Sequence, residues 1–173
     1  MSQGTGTSNR ARATTVLLGA AAGSLALAAP AVAGSACTAS GQIPSGGLAC
    51  LTVDTVAGHA DQVRGISSTI TYKGYYNFQV RMSGPGTSDT ALTPRYVSGI
   101  DLPNFPHDPN AITTYPFTYC SAFVPGGPGL SNGCGTYPQG SKVWLQVYND
   151  SGSASYKTPA IDVNPAPGCT WKC

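Results

Sequence analysis

The chain contains no glutamate, and charged residues of any kind fill only 9% of its 173 positions. A glycosidase carboxylate pair would therefore have to come from aspartates alone, with no Glu to serve as an acid of raised pKa. The same lack, beside 22 glycines and 14 prolines, argues against extended helices. No G-x-S-x-G elbow occurs, so a hydrolytic nucleophile would be an unmarked Ser or Thr. No C-x-x-C pair occurs either, and only Cys169-x-x-x-Cys173 comes near zinc-ligand spacing. Of the two histidines, His59 stands in H-x-D spacing with Asp61 and His107 precedes Asp108. On a strand, H-x-D would share one face, but both histidines lie in Pro/Gly-flanked segments that read as surface loops. No enzyme, metal or cofactor is expected.

Long apolar runs are missing too. The longest, Val16 to Ala29, is broken by Gly19, Gly23 and Ser24 and ends before Pro30, short of the roughly 20 residues a membrane span needs. Arg10 and Arg12 precede it and Ala31-Val32-Ala33 follows it, so residues 1–33 read as a secretory signal peptide. Because Ala11 separates the two arginines, the general secretory route is expected rather than the twin-arginine route. The remaining 34–173 suit one domain with a sizeable core. Seven basic residues there (Arg64, Lys73, Arg81, Arg95, Lys142, Lys157, Lys172) meet seven aspartates. A surface without net charge offers nothing for nucleic acid phosphates or anionic membranes. The expected location is extracellular.

What the chain does have is cysteine in even number. Cys37, Cys50, Cys120, Cys134, Cys169 and Cys173 all follow the signal, which in an exported chain reads as three disulfides with fifteen formal connectivities. Loop closure favours nearest neighbours: Cys37–Cys50, Cys120–Cys134 and Cys169–Cys173. The middle pair would contribute up to about 3 kcal/mol by restricting the unfolded chain.

Strand periodicity is clearest from Ile66 to Met82, where Ile66, Ile70, Tyr76, Phe78, Val80 and Met82 share one parity and Thr69, Thr71, Asn77, Gln79 and Arg81 the other. A three-residue loop at Tyr72-Lys73-Gly74 would make this a hairpin with Ile70 opposite Tyr76 and Ile66 opposite Val80, and Gly74 left-handed. Leu48 to Val56, Ile112 to Val124, Lys142 to Asn149 and Ser155 to Val163 read as further strands, with Pro116 forcing the second of these onto an edge or a bulge. Ser83 to Asp89 and Pro125 to Ser141 read as loops, and Ala91 to Leu102 as a bent strand. Residues 34–47 read as a flexible arm pinned by Cys37, followed by a single domain over 48–173. The fold class is all-β: a disulfide-stapled antiparallel β-sandwich, immunoglobulin-like, with a closed barrel as rival.

Binding signals rest on aromatics, since tyrosine suits surfaces dry at one end and wet at the other. Tyr72, Lys73 and Tyr75 at the expected hairpin tip, with Tyr115 and Tyr119 on one strand face, form the expected partner-binding set. Two other readings remain. The Cys120–Cys134 loop offers Phe123 or Leu130 as a protease inhibitor's primary side chain, although its glycines make it soft. Tyrosine and tryptophan faces, Tyr75 and Trp144 in particular, would suit a glycan.

An Ala-rich signal, a Thr/Ser/Gly/Pro-rich mature domain and paired cysteines give the whole chain a look that resembles small secreted proteins of actinomycetes. Within that group it is similar to the small adaptor subunit of the umbrella-shaped antibacterial toxin particles of streptomycetes. Such adaptors join a lectin-bearing subunit to a large toxin chain through extended segments and strand addition. The resemblance implies that the arm before Cys50 and the edge strand around Pro116 are the matching elements, and that the partner is another secreted protein. It assigns no functional residue.

Overall fold

A computed structural model describes residues 32–97, 112–128, 133–149 and 151–166. In chain order the strands are β1 (Val32–Cys37), β2 (Leu48–Val56), β3 (His59–Lys73), β4 (Tyr76–Gly84), β5 (Thr87–Ala91), β6 (Tyr96–Val97), β7 (Ile112–Cys120), β8 (Gly135–Thr136), β9 (Ser141–Asn149), β10 (Ser155–Lys157) and β11 (Ile161–Val163). They form two antiparallel sheets. The first runs β1-β2-β3-β7 with β8 on β3, and the second runs β10-β9-β4-β5 with β11 on β9 and β6 on β4. In immunoglobulin terms β2, β3 and β7 occupy positions A, B and E, and β4, β5, β9 and β10 occupy C, C′, F and G. β1 adds a strand outside A.

Alternation decides which side of each strand turns inward. Ala49, Leu51, Val53 and Thr55 of β2, Tyr76, Phe78, Val80 and Met82 of β4, and Val143, Leu145 and Val147 of β9 are buried, while the intervening residues face out. In β3 the inward parity changes from Val63 to Ile66, because Asp54 pairs with Gly65 and Thr55 with Val63, leaving Arg64 as the extra residue of a bulge. Both inner faces meet in one core.

The Ile66–Met82 segment has the strands expected of it but not the hairpin. Ile70 pairs with Ala49 and Tyr115, whereas Val80 pairs with Leu145, so β3 and β4 lie in different sheets and Gly74 (φ 94°) turns the corner between them. The physical reason is that alternation specifies the buried face of a strand, not its neighbour. Two successive strands can satisfy it equally well by facing each other across the core. Two-residue hairpins form instead at Ala57-Gly58 between β2 and β3 and at Pro85-Gly86 between β4 and β5, with Gly58 at φ 78° and Gly86 at φ 75°. Pro followed by a left-handed Gly is type II turn chemistry, so the expected Ser83–Asp89 loop is instead a tight turn entering β5. The expected bent strand after it reduces, among the described residues, to β6. The final strand is split into β10 and β11 around Thr158-Pro159-Ala160, both on β9.

Residues 34–47 are not a loose arm. Gly34 to Cys37 pair with β2, Thr38 and Ile43 are buried, and Thr38 is tied to Ala49 by two hydrogen bonds of 2.8 and 3.1 Å. An apolar Ile43 and a hydroxyl that satisfies a strand-end amide give this Gly/Ser-rich stretch something to dock. The expected signal cleavage after Ala33 would fall inside β1. Cys37–Cys50 and Cys120–Cys134 are joined as expected, and two disulfides are typical of extracellular proteins. Cys169 and Cys173 lie outside the described residues.

Candidate functional site

Of the five residues expected at a partner surface, the fold exposes two. Lys73 and Tyr75 project from the β3–β4 corner, with Tyr75 45% exposed. Tyr72, Tyr115 and Tyr119 are core residues at 1%, 2% and 8% exposure. Tyr72 shares the inward parity of Ile66 and Ile70, and it stacks on Tyr115 at 5.4 Å and meets Tyr76 edge-on at 5.2 Å. Tyr119 joins Phe78, Tyr96 and Phe117 in an aromatic cluster with centroid separations from 4.7 to 6.5 Å. Its hydroxyl is 2.9 Å from that of Ser68. Burial pushes the Tyr119 phenol well above the ordinary tyrosine range, and the Ser68 hydrogen bond opposes that shift without cancelling it.

Around the exposed pair, register assembles an apolar end of the first sheet. Lys73 is opposite Ile112, which is 61% exposed, and Leu48, at 39%, is opposite Thr71. Thus Leu48, Tyr75 and Ile112, three of the four exposed large hydrophobics among the described residues, belong to the same sheet end. The fourth, Val124, follows the other end of β7. Sequence reasoning passed over Leu48 and Ile112 because each begins a strand whose later residues carry the pattern.

The outer face of the first sheet has a second feature. Ser35, Thr52, Ser67 and Thr118 stand opposite one another in turn across β1, β2, β3 and β7, a row of four hydroxyls with about 4.8 Å between neighbouring strands. At its β7 end lies a groove of about 370 Å³ lined by Asp54, Arg64, Gly65, Ile66, Ser67, Thr118, Cys120 and Ser121. Neither Asp54 nor Arg64 has an ion pair among the described residues. Serine and threonine on the polar parity of four strands were the available sequence signal for this row.

Trp144 is on the outer side of the second sheet, opposite Arg81, and is half-buried over a shallow groove with Lys157 and Pro159. It is not a buried sheet-packing tryptophan. Tyr148, four residues on, is capped by the Arg95 guanidinium 4.0 Å from its ring centre, so its face is occupied. In the candidate inhibitor loop, Phe123 is half-buried and Leu130 lies outside the described residues. The loop also folds back on β8, where the Thr136 amide donates to the Gly126 carbonyl at 2.7 Å. His59 contacts Gln62 at 3.5 Å, and among the described residues no group of three potential metal ligands gathers. His107 and Asp108 lie outside them.

Comparison with protein-family models, with curated proteins and with solved structures finds no match to this chain.

Proposed function

We propose that the chain is an extracellular, non-enzymatic protein-binding module whose partner docks at the Leu48–Tyr75–Ile112 end of the first sheet. The observation that supports this is that three of the four exposed large hydrophobics among the described residues stand at one sheet end beside Lys73, in a chain with few charges. Interface centres are depleted in charge and enriched in aromatic anchors, and Tyr75 with its aliphatic neighbours has that composition. Both edges of the first sheet belong to the elements matched by the resemblance to toxin-particle adaptors, β1 within the N-terminal segment and β7 around Pro116. On that reading the module joins two secreted chains by strand addition. The test is stoichiometric capture from the producer's culture supernatant with wild-type protein and with the Tyr75→Ala/Ile112→Ser variant. A partner retained by the first and lost by an equally stable second supports the proposal. Bare wild-type monomer overturns it.

A second reading, saccharide binding, draws on the Ser35-Thr52-Ser67-Thr118 row and its Asp54/Arg64 groove rather than on aromatics. Neutral hydroxyls beside a carboxylate and a guanidinium that form no ion pair among the described residues make a hydrogen-bonding kit for polyols. Retention on insoluble glycans that survives Tyr75→Ala but is lost in Arg64→Ala would favour it.

A further inference from the structure

We propose that Cys37–Cys50 is a thiol-exchange site, opened by a dithiol reductant while Cys120–Cys134 stays closed, and that its opening frees β1 from the first sheet. The two cysteines are directly opposite on neighbouring antiparallel strands, with Cα atoms 4.0 Å apart. Their parity places them on the outer face, one row from the four hydroxyls, with Cys37 exposed and Cys50 half-buried. In the second disulfide Cys120 is half-buried beside the groove and Cys134 is 1% exposed, so neither of its cysteines is exposed as Cys37 is. Thiol–disulfide exchange requires a thiolate to reach a sulfur in line with the bond to be broken, so accessibility sorts the two bonds.

The chemistry balances with the dithiol alone. One thiolate of the reductant attacks the exposed Cys37 sulfur, forming a mixed disulfide and expelling the Cys50 thiolate. The second thiol of the reductant, as its thiolate, then attacks its own sulfur in that mixed disulfide and expels the Cys37 thiolate. The reductant leaves as a disulfide, two electrons have passed to the protein, and the two cysteine thiolates take protons from solvent.

The consequence follows from topology. β1 is an edge strand, paired in its sheet with β2 alone, and Cys37 is its last residue. On the other side of the disulfide, Thr38 and Ile43 remain docked by their own hydrogen bonds and burial. With the bond broken, Val32–Cys37 is held only by its ladder with β2, the Ser35 side-chain bonds and the packing of Ala33 and Ala36, and on this proposal that is too little to keep the outer edge of β2 covered. This inference does not depend on the partner reading above.

The test is a dithiothreitol titration of the secreted protein under native conditions, with alkylation and peptide mapping. Cys37 and Cys50 should become alkylated at a reductant concentration about tenfold or more below that needed for Cys120 and Cys134. Simultaneous labelling of all four, or earlier labelling of Cys120 and Cys134, would overturn the site. Hydrogen exchange of the selectively reduced protein tests the second half: the amides of Gly34 and Ala36, which by the alternation of the ladder face β2, should exchange faster while those of β9 are unchanged. Unchanged protection in β1 would overturn its release. A Cys37→Ser/Cys50→Ser variant should show the same fast-exchanging β1, and the titration of native protein decides the site even where that variant does not fold.

Discussion

The Tyr137 hydroxyl donates a 2.6 Å hydrogen bond to the carbonyl of Gly133 from a side chain only 1% exposed. Four residues later the chain enters β9, the F strand, so the bond fixes the crossing from the first sheet to the second. Immunoglobulin-like domains use a tyrosine at the same corner in the same way. Asn164, just past β11, donates its side-chain amide to the Tyr137 carbonyl at 2.8 Å and its backbone amide to Ala60, tying the β2–β3 end to this corner.

Tyr137→Phe should therefore cost about 1–3 kcal/mol, because the Gly133 carbonyl loses its donor while remaining buried. Thermal unfolding would report this as a drop of roughly 4 °C for each kcal/mol. A shift under 1 °C would mean that water replaces the phenol and that the corner is held by packing alone.

Gly47→Ala tests whether residues 38–47 are part of the fold. A methyl group there would land on the Ile43 side chain, which is fully buried, and within 3.1 Å of the Thr71 carbonyl. Overpacking of this kind costs typically about 1–3 kcal/mol. A loose arm would absorb the change with no loss, so the midpoint of denaturant unfolding separates the two descriptions.

Much of this architecture was legible residue by residue. Leu48–Val56, the Tyr76–Met82 stretch and Val143–Val147 alternate so strictly that their buried faces could be assigned from sequence, and closure of short loops gave both described disulfides. Partner choice was not legible. Ile70 and Tyr76 carry the same local pattern whether they pair along a hairpin or lie in facing sheets, and their actual partners, Ala49 and Asn149, are far away in the chain. The tyrosines misled for a related reason. Tyr72 has the parity of Ile66 and Ile70, but its proximity to the exposed Lys73-Gly74 suggested a tip. The Tyr137 corner stood unmarked in a Gly/Pro/Ser-rich stretch, where a lone aromatic just before a strand was its only trace.

Tyr72 and Tyr75 make the sharpest contrast for mutagenesis. Tyr72→Ala should cost about 3–5 kcal/mol, as for other large aromatic truncations in a core, since it removes the stacking on Tyr115 and the edge contact with Tyr76. Tyr75→Ala, at a 45% exposed position, should leave stability within about 0.5 kcal/mol. Equal losses by urea denaturation would place both side chains in the core and remove Tyr75 as a docking anchor.

Alkaline pH should unfold the domain through its buried phenols. Burial raises both Tyr119 and Tyr137 above their ordinary range, so the folded state keeps protons that the unfolded chain releases from about pH 10 upward. Below that pH both states hold these protons and neither tyrosine contributes a pH dependence. Above it the unfolded state binds fewer protons, and stability falls by about 1.4 kcal/mol per pH unit for each tyrosine until the folded-state value is reached. Denaturant titrations between about pH 8 and pH 12, followed by tyrosinate absorbance, would measure this slope. Tyr137→Phe, which loses its hydrogen bond but has no proton to lose, should be less stable at neutral pH yet lose stability less steeply above pH 10. A slope unchanged by that substitution would show that the alkaline transition arises from other groups.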